Sequence, residues 1–189
     1  KWVKWFINMV KKPQPDTKII VGNSVASSIP KLLLEKTSAD VSVIGEGEIS
    51  AYETVEAFRL HTDLTQVQGI AFKNEVGAIV QNQPRKVGNI NDFPMPNWDF
   101  FEVERYLAIP PNTKDVGETK DVRSIPVITA RGCAFECTFC YFVFWNDPYR
   151  NRAPKSILEE VKRNIEKYNV NYIHFWDDLS FASAKQVSK

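Results

Sequence analysis

Apolar residues in the first sixty positions follow two alternating spacings. Trp2, Phe6, Met9 and Val10 recur every three or four residues, which predicts an amphipathic helix ended by Pro13 and Pro15. Residues 18–21 form a short apolar run closed by Gly22-Asn23-Ser24, the pattern of a buried strand. Residues 29–36 carry Leu32, Leu33 and Leu34 behind Pro30, which suits the first turn of a helix. Residues 41–44 predict a second strand, closed by Gly45-Glu46-Gly47-Glu48. Residues 50–60 predict a helix with Ala51, Val55 and Phe58 on one face. Helices alternating with short β-branched strands predict a parallel, doubly wound α/β sheet.

The pattern changes after residue 67. Gly69-Ile70-Ala71-Phe72 and Ala78-Ile79-Val80 flank Asn74-Glu75-Val76-Gly77, which predicts a β-hairpin. Residues 89–121 are rich in Pro, Asn and Asp and include Phe93-Pro94-Met95-Pro96-Asn97-Trp98. The aromatics Trp98, Phe100, Phe101 and Tyr106 predict an ordered linker that docks. A third strand, 125–130, runs into Arg131-Gly132-Cys133. Residues 154–168 predict a helix with Ile157, Leu158, Val161 and Ile165 on one face and Asn169 at its end. A fourth strand, 170–176, is closed by Asp177-Asp178. Strand, loop, helix and strand make a βαβ unit. The expected division is therefore 1–66 as one α/β part, 67–121 as hairpin and linker, and 122–189 as a second α/β part.

Charge narrows the function classes. The 189 residues hold 24 Lys+Arg against 23 Asp+Glu, a net charge of +1 that offers no basic footprint for nucleic acid. No apolar run approaches the ~20 residues that a membrane span needs. Residues 1–10 mix Lys with Trp, Phe and Ile and lack the features of a signal peptide. The start inside a helical pattern, without Met, and the uncapped end predict a piece of a longer protein.

Cysteine usage narrows them further. All three cysteines, Cys133, Cys137 and Cys140, fall within eight residues. An odd, tight group is no disulfide framework and points to a reducing, cytoplasmic setting. Cys133-Ala-Phe-Glu-Cys137-Thr-Phe-Cys140 is a Cx3Cx2C spacing just past a strand end, where α/β sheets place their chemistry. Three thiolates on one loop can hold three irons of a four-iron cube and leave the fourth open to a ligand. Phe135 and Phe139 are placed to shield such a cluster from water. A zinc site needs a fourth ligand, and the two candidates, His61 and His174, stand far from the loop in sequence. A plain iron–sulfur electron carrier calls for a fourth cysteine, and the chain has three.

The run Thr129-Ala130-Arg131-Gly132-Cys133 to Cys140, the helix start Arg152-Ala153-Pro154, and Phe175-Trp176-Asp177-Asp178 together resemble the beginning of the radical S-adenosylmethionine core. Val43-Ile44-Gly45-Glu46-Gly47-Glu48, Gln68-Gly69-Ile70-Ala71 and Gln83-Pro84-Arg85 are similar to the subgroup with an N-terminal cobalamin-binding domain, the Mg-protoporphyrin monomethyl ester oxidative cyclase-like family. The resemblance implies the end of a Rossmann-like cobalamin-binding domain followed by the first βα units of a partial TIM barrel. It implies that Cys133, Cys137 and Cys140 hold a 4Fe-4S cluster whose open iron binds the amino and carboxylate groups of S-adenosylmethionine. One electron then cleaves the sulfonium to a 5′-deoxyadenosyl radical, or the methyl group passes to cobalamin. Phe139 is implied near the adenine, and Asp177 and Asp178 near the cofactor's ammonium, a suitable pairing for a carboxylate. The bland alternative for both Asp residues is a solvated turn.

Gly22, Gly45, Glu46, Gly47 and Glu48 are implied at the cobalamin nucleotide tail, with turn glycine as the alternative. Asn23 stands where a second Gly is frequent in the family, and the axial-ligand motif Asp-x-His-x-x-Gly is absent from the chain. An electron donor such as flavodoxin or ferredoxin and a small-molecule substrate are the implied partners. Methylation, ring closure and methylthiolation stay open as outcomes, and no catalytic residue is singled out. A radical enzyme without cobalamin and a non-catalytic zinc or iron–sulfur module are the alternatives.

Overall fold

The computed structural model describes residues 1–107, 122–140, 147–180 and 182. They form two compact units, one over residues 1–87 and one from residue 88 onward.

In the first unit, α1 (Trp2–Lys11) forms where the periodicity predicts it. Its packed residue is Ile7, however, and Trp2, Trp5, Phe6 and Met9 stay exposed. β1 (Ile20–Val21) follows, then α2 (Asn23–Ser28), α3 (Pro30–Lys36) and β2 (Val41–Val43). β1 and β2 pair in parallel, with Ile20 opposite Val41. Asp40 secures this pair, accepting from the Ile19 backbone N–H at 2.8 Å and lying 3.0 Å from the Lys11 ammonium. α2 stands where the sequence predicted only a turn. Its first residue, Asn23, has φ 71°, a left-handed backbone that Asn tolerates and Gly favours.

α4 (Gly47–Leu60) covers one face of the sheet. It buries Ser50, Thr54 and Ala57, while Val55, expected inside, is exposed. The small residues win because their hydroxyls are satisfied locally. Ser50 Oγ donates to the Gln68 carbonyl at 2.8 Å and Thr54 Oγ1 to the Ser50 carbonyl at 2.7 Å. The hairpin of β3 (Ile70–Lys73) and β4 (Ile79–Gln81) is present, with Gly77 at φ 77° in its turn. It does not stand apart as expected. β3 pairs antiparallel with β2, so the sheet is mixed, in the order β1-β2-β3-β4. Val41, Val43, Ile70 and Phe72 meet α4 on one face, and Ile7, Leu34, Ala39 and Ala71 close the other. The unit boundary consequently falls after residue 87, not after 66.

The second unit begins with the linker. Two short 3-10 turns, Ile90–Asp92 and Trp98–Phe100, are each capped by an Asn side chain. α5 (Val103–Leu107) follows. Of the linker aromatics, Trp98 docks on a core of Leu107, Ile125, Tyr168 and Val170, whereas Phe100, Phe101 and Tyr106 are exposed. The rest of the expected linker, 108–121, lies outside the described residues. β5 (Ser124–Val127), β6 (Ala130–Arg131), β7 (Arg150–Asn151), α6 (Pro154–Tyr168) and β8 (Tyr172–Phe175) complete the unit. β5 and β8 pair in parallel through α6, the expected βαβ unit. The strand predicted over 125–130 breaks at Ile128-Thr129, and β6 turns aside to pair antiparallel with β7. α6 ends at Asn169, whose φ of 53° closes it. Its buried seam is Glu160, Asn164 and Tyr168, while Leu158 and Ile165, expected inside, are exposed.

Candidate metal centre beyond the fifth strand

The cysteine loop leaves from the C-terminal end of β5, and its base is held from several directions. Thr129 N–H and Ala130 N–H both donate to Asp177 Oδ1, at 2.8 and 3.1 Å. Thr129 Oγ1 donates to Asp177 Oδ2 at 2.5 Å, and Ser180 Oγ donates to the same oxygen at 2.9 Å. Tyr149 Oη, on the returning side of the loop, donates to the Ser180 carbonyl at 2.8 Å. Arg152 N–H donates to the Thr129 carbonyl at 2.8 Å, and the β6–β7 ribbon ties the loop's two ends. Burial lifts the Tyr149 phenol above its ordinary range, and the neighbouring Asp177 and Cys133 add to the effect against a backbone contact with Ala182.

A second clamp lies behind the loop. The Arg152 guanidinium donates to the Ile128 carbonyl at 2.8 Å, to Ser156 Oγ at 3.0 Å, and to the Glu160 carboxylate. Glu160 is only 1% exposed, so this is a buried ion pair joining the end of β5 to α6. Arg131 stacks its guanidinium 5.3 Å from the Phe93 ring centre.

Cys133 and Cys137 are half-buried, Cys140 is exposed, and all three are free thiols. Cys140 N–H donates to the Cys137 carbonyl at 3.0 Å, a turn that keeps the last two thiols on one short arc. Among the described residues no three His, Cys, Asp or Glu side chains converge on a point that would hold a single metal ion. A four-iron cube asks for something different, three soft thiolates at separate corners of one group. Three free thiols on a single loop tied at both ends suit that group in donor chemistry. His61 caps α4 in the first unit, and His174 lies within β8 with its ring 6.0 Å from that of Trp176. Phe135 and Phe139 stand exposed, Phe139 at 89%, so neither screens the thiols as expected.

The other expected site residues fall in two places. Asp177 faces the base of the cysteine loop, and Asp178, next to it, is exposed. Gly22 and Gly45 close the parallel neighbours β1 and β2. A Cβ added to either would meet no atom within 4 Å, so both backbones border open space. Gly45 has φ +80° and its N–H takes Ser27 Oγ as acceptor at 3.0 Å. Gly47 opens α4, preceded by Glu46 and followed by Glu48 in the first turn. Sequence reasoning gave no role to Thr129, Tyr149, Ser180 or Glu160. Their partners lie up to 48 residues away, and no local pattern marks them.

Residues 127–181 match the model of the Radical SAM superfamily, and the chain carries this domain. Along most of its length the chain is similar to cyclases and methyltransferases. The anaerobic magnesium-protoporphyrin IX monomethyl ester cyclase of Rubrivivax gelatinosus is 29% identical over 91% of this chain and 30% of its own length. The cytidylyl-2-hydroxyethylphosphonate methyltransferase of Streptomyces wedmorensis is 26% identical over 87% of this chain and 34% of its own. The chain thus spans about a third of the length of these relatives. Among solved structures, the cobalamin-dependent S-adenosylmethionine radical enzyme OxsB superposes with a TM-score of 0.68 at 21% identity, over 93% of this chain and 23% of that one. The radical S-adenosylmethionine methyltransferase TsrM of Kitasatospora setae, with cobalamin and a 4Fe-4S cluster bound, gives 0.63 at 18% identity over 93% and 33%. These two establish the shared fold. Among the described residues no helix is long and apolar enough to cross a membrane.

Proposed function

We propose that the chain is the part of a cobalamin-dependent radical S-adenosylmethionine enzyme that joins the end of a cobalamin-binding domain to the first units of the barrel. The observation that carries this reading is the trio of free thiols, Cys133, Cys137 and Cys140, on a loop tied at both ends beyond β5. A 4Fe-4S cluster held there supplies the electron that breaks the sulfonium of S-adenosylmethionine. The residues around it do the positioning. Phe139, exposed beside Cys140, offers an aromatic face to the adenine. Asp178, exposed beyond β8, offers an acceptor to the ammonium. In the first unit, Gly22 and Gly45, with Glu46, Gly47 and Glu48 alongside, line the open ends of β1 and β2 where a nucleotide tail can approach bare backbone. The substrate is a small molecule, and the electron is delivered by a donor such as flavodoxin or ferredoxin in the cytoplasm.

The test is anaerobic reconstitution of the full-length protein with iron and sulfide, followed by EPR of the dithionite-reduced sample with and without S-adenosylmethionine. A 4Fe-4S signal that shifts on adding S-adenosylmethionine is the expected result. A folded protein that takes up one zinc and no cluster overturns the reading. Retention of cobalamin through gel filtration separates the cobalamin-dependent form from a radical enzyme without it.

A further inference from the structure

An ionised carboxylate has two oxygens and about four acceptor sites. In Asp177 all of them are taken: Oδ1 receives Thr129 N–H and Ala130 N–H, and Oδ2 receives Thr129 Oγ1 and Ser180 Oγ. An ammonium could bind here only by displacing part-buried donors, and Thr129 is itself buried. A displaced buried N–H loses its partner without gaining water, which is costly. The four donors also have a common geometry. Thr129 and Ala130 enter the cysteine loop four and three residues before Cys133. Ser180 carries the connection on to Tyr149, where the loop returns. The carboxylate therefore holds the entering strand directly and the returning strand through one intermediate.

We infer that Asp177 is a positioning residue for the thiol loop, fixing the base from which Cys133 projects, and that it is not the acceptor for the ammonium of S-adenosylmethionine. The inference rests on the cluster reading above and assigns a different task to this one carboxylate. Asp177, Thr129, Ser180 and Tyr149 form one hydrogen-bonded chain across three segments, and its role is to keep the loop in the shape that accepts a cluster. Arg152, through the Thr129 carbonyl, supports the same point from the other side.

The test compares the full-length protein with Asp177→Asn, Thr129→Val and Thr129→Ser. Each is reconstituted anaerobically, checked by far-UV circular dichroism, and followed for iron release to a chelator and for the EPR shift on adding S-adenosylmethionine. Asp177→Asn and Thr129→Val are expected to release iron about tenfold faster than the wild type, the order that follows from losing hydrogen bonds to a carboxylate. Thr129→Ser, which keeps the hydroxyl, is expected to match the wild type. The molecules that still hold a cluster are expected to show the full S-adenosylmethionine shift. Iron release at the wild-type rate in both variants overturns the inference. So does Asp177→Asn that keeps its cluster as the wild type does but loses the shift, which would make Asp177 the ammonium acceptor. If Asp177→Asn does not fold, the Thr129→Val and Thr129→Ser pair decides by itself. A wild-type protein that takes up no cluster overturns the underlying reading and this inference together.

Discussion

Gly132 packs against Pro148 so closely that a Cβ on Gly132 would lie 2.6 Å from the Pro148 carbonyl oxygen. The residue also has φ +78°, a left-handed backbone that costs other residues roughly 1–2 kcal/mol. Both facts bear on the residue directly before Cys133. Gly132→Ala is expected to lose about 2 kcal/mol or more of stability, since the backbone of 147–148 must also retreat. Urea denaturation measures the loss, and the iron content after reconstitution should fall with it. An Ala variant as stable as the wild type would show that the two segments do not meet this closely in solution.

Glu160 and Arg152 make the second expectation quantitative. Glu160 is buried, and its carboxylate meets Arg152 directly and Arg163 at 3.8 Å. Glu160→Ala leaves the Arg152 guanidinium buried beside lost charge, which typically costs about 3–5 kcal/mol. Replacing both partners, Arg152→Met with Glu160→Met, should recover much of that, because paired charges in an interior often stabilise little over apolar residues. Chemical denaturation of the two variants checks the contrast. Equal losses in the single and double variants would mean that Arg152 acts mainly through the Ile128 carbonyl and Ser156.

The same pair shows where sequence reading reaches its limit. The apolar spacing of Ile157, Leu158, Val161 and Ile165 places a helix over 154–168, and the helix is there. It does not tell which face is buried, because Glu160 enters the interior only through Arg152, which precedes the helix. Strand existence was legible at 18–21, 41–44 and 170–176 from short β-branched runs closed by Gly or Asp. Sheet direction was less so. The hairpin joins β2 antiparallel, and that depends on Val41 meeting Phe72 and not on any local signal. At the candidate site the cysteine spacing is the signal behind the proposed chemistry, since few groups ask for three thiols in eight residues. The hydrogen bonds that shape the loop join Thr129 to Asp177 across 48 positions, and only the folded chain brings them together.

Acid should weaken the docking of the linker. Lys167 and then Tyr168 hydrogen-bond the Asp99 carboxylate, and together they hold it below the usual aspartate range. A carboxyl whose folded value is depressed contributes stability above its unfolded value and loses it as pH falls through the folded one. Asp99→Asn should therefore be less stable than the wild type at neutral pH, with the gap closing as the pH falls through and below the ordinary aspartate range. The group is exposed, so the gap is small and narrows further with salt. Thermal unfolding midpoints of both proteins across that range give the measurement. A gap that persists unchanged at the acid end would assign the effect to the Asn97–Asp99 turn and not to the charge.

Gly22 allows the proposed cobalamin contact of the first unit to be tested apart from its stability. The residue has φ −123°, so a side chain brings no backbone strain, and a Cβ there would touch no atom within 4 Å. Gly22→Val should accordingly change the unfolding free energy by no more than about 0.5 kcal/mol, as for an unconstrained surface position. The added methyls would nevertheless fill the space beyond β1 in which the proposed cobalamin tail lies against backbone. The expected outcome for the full-length protein is a wild-type urea midpoint with cobalamin lost on gel filtration, read from its visible absorbance. Cobalamin retained by a stable Gly22→Val protein would remove Gly22 from that site. Loss of cobalamin together with stability would mean that the space beyond β1 is already filled by protein.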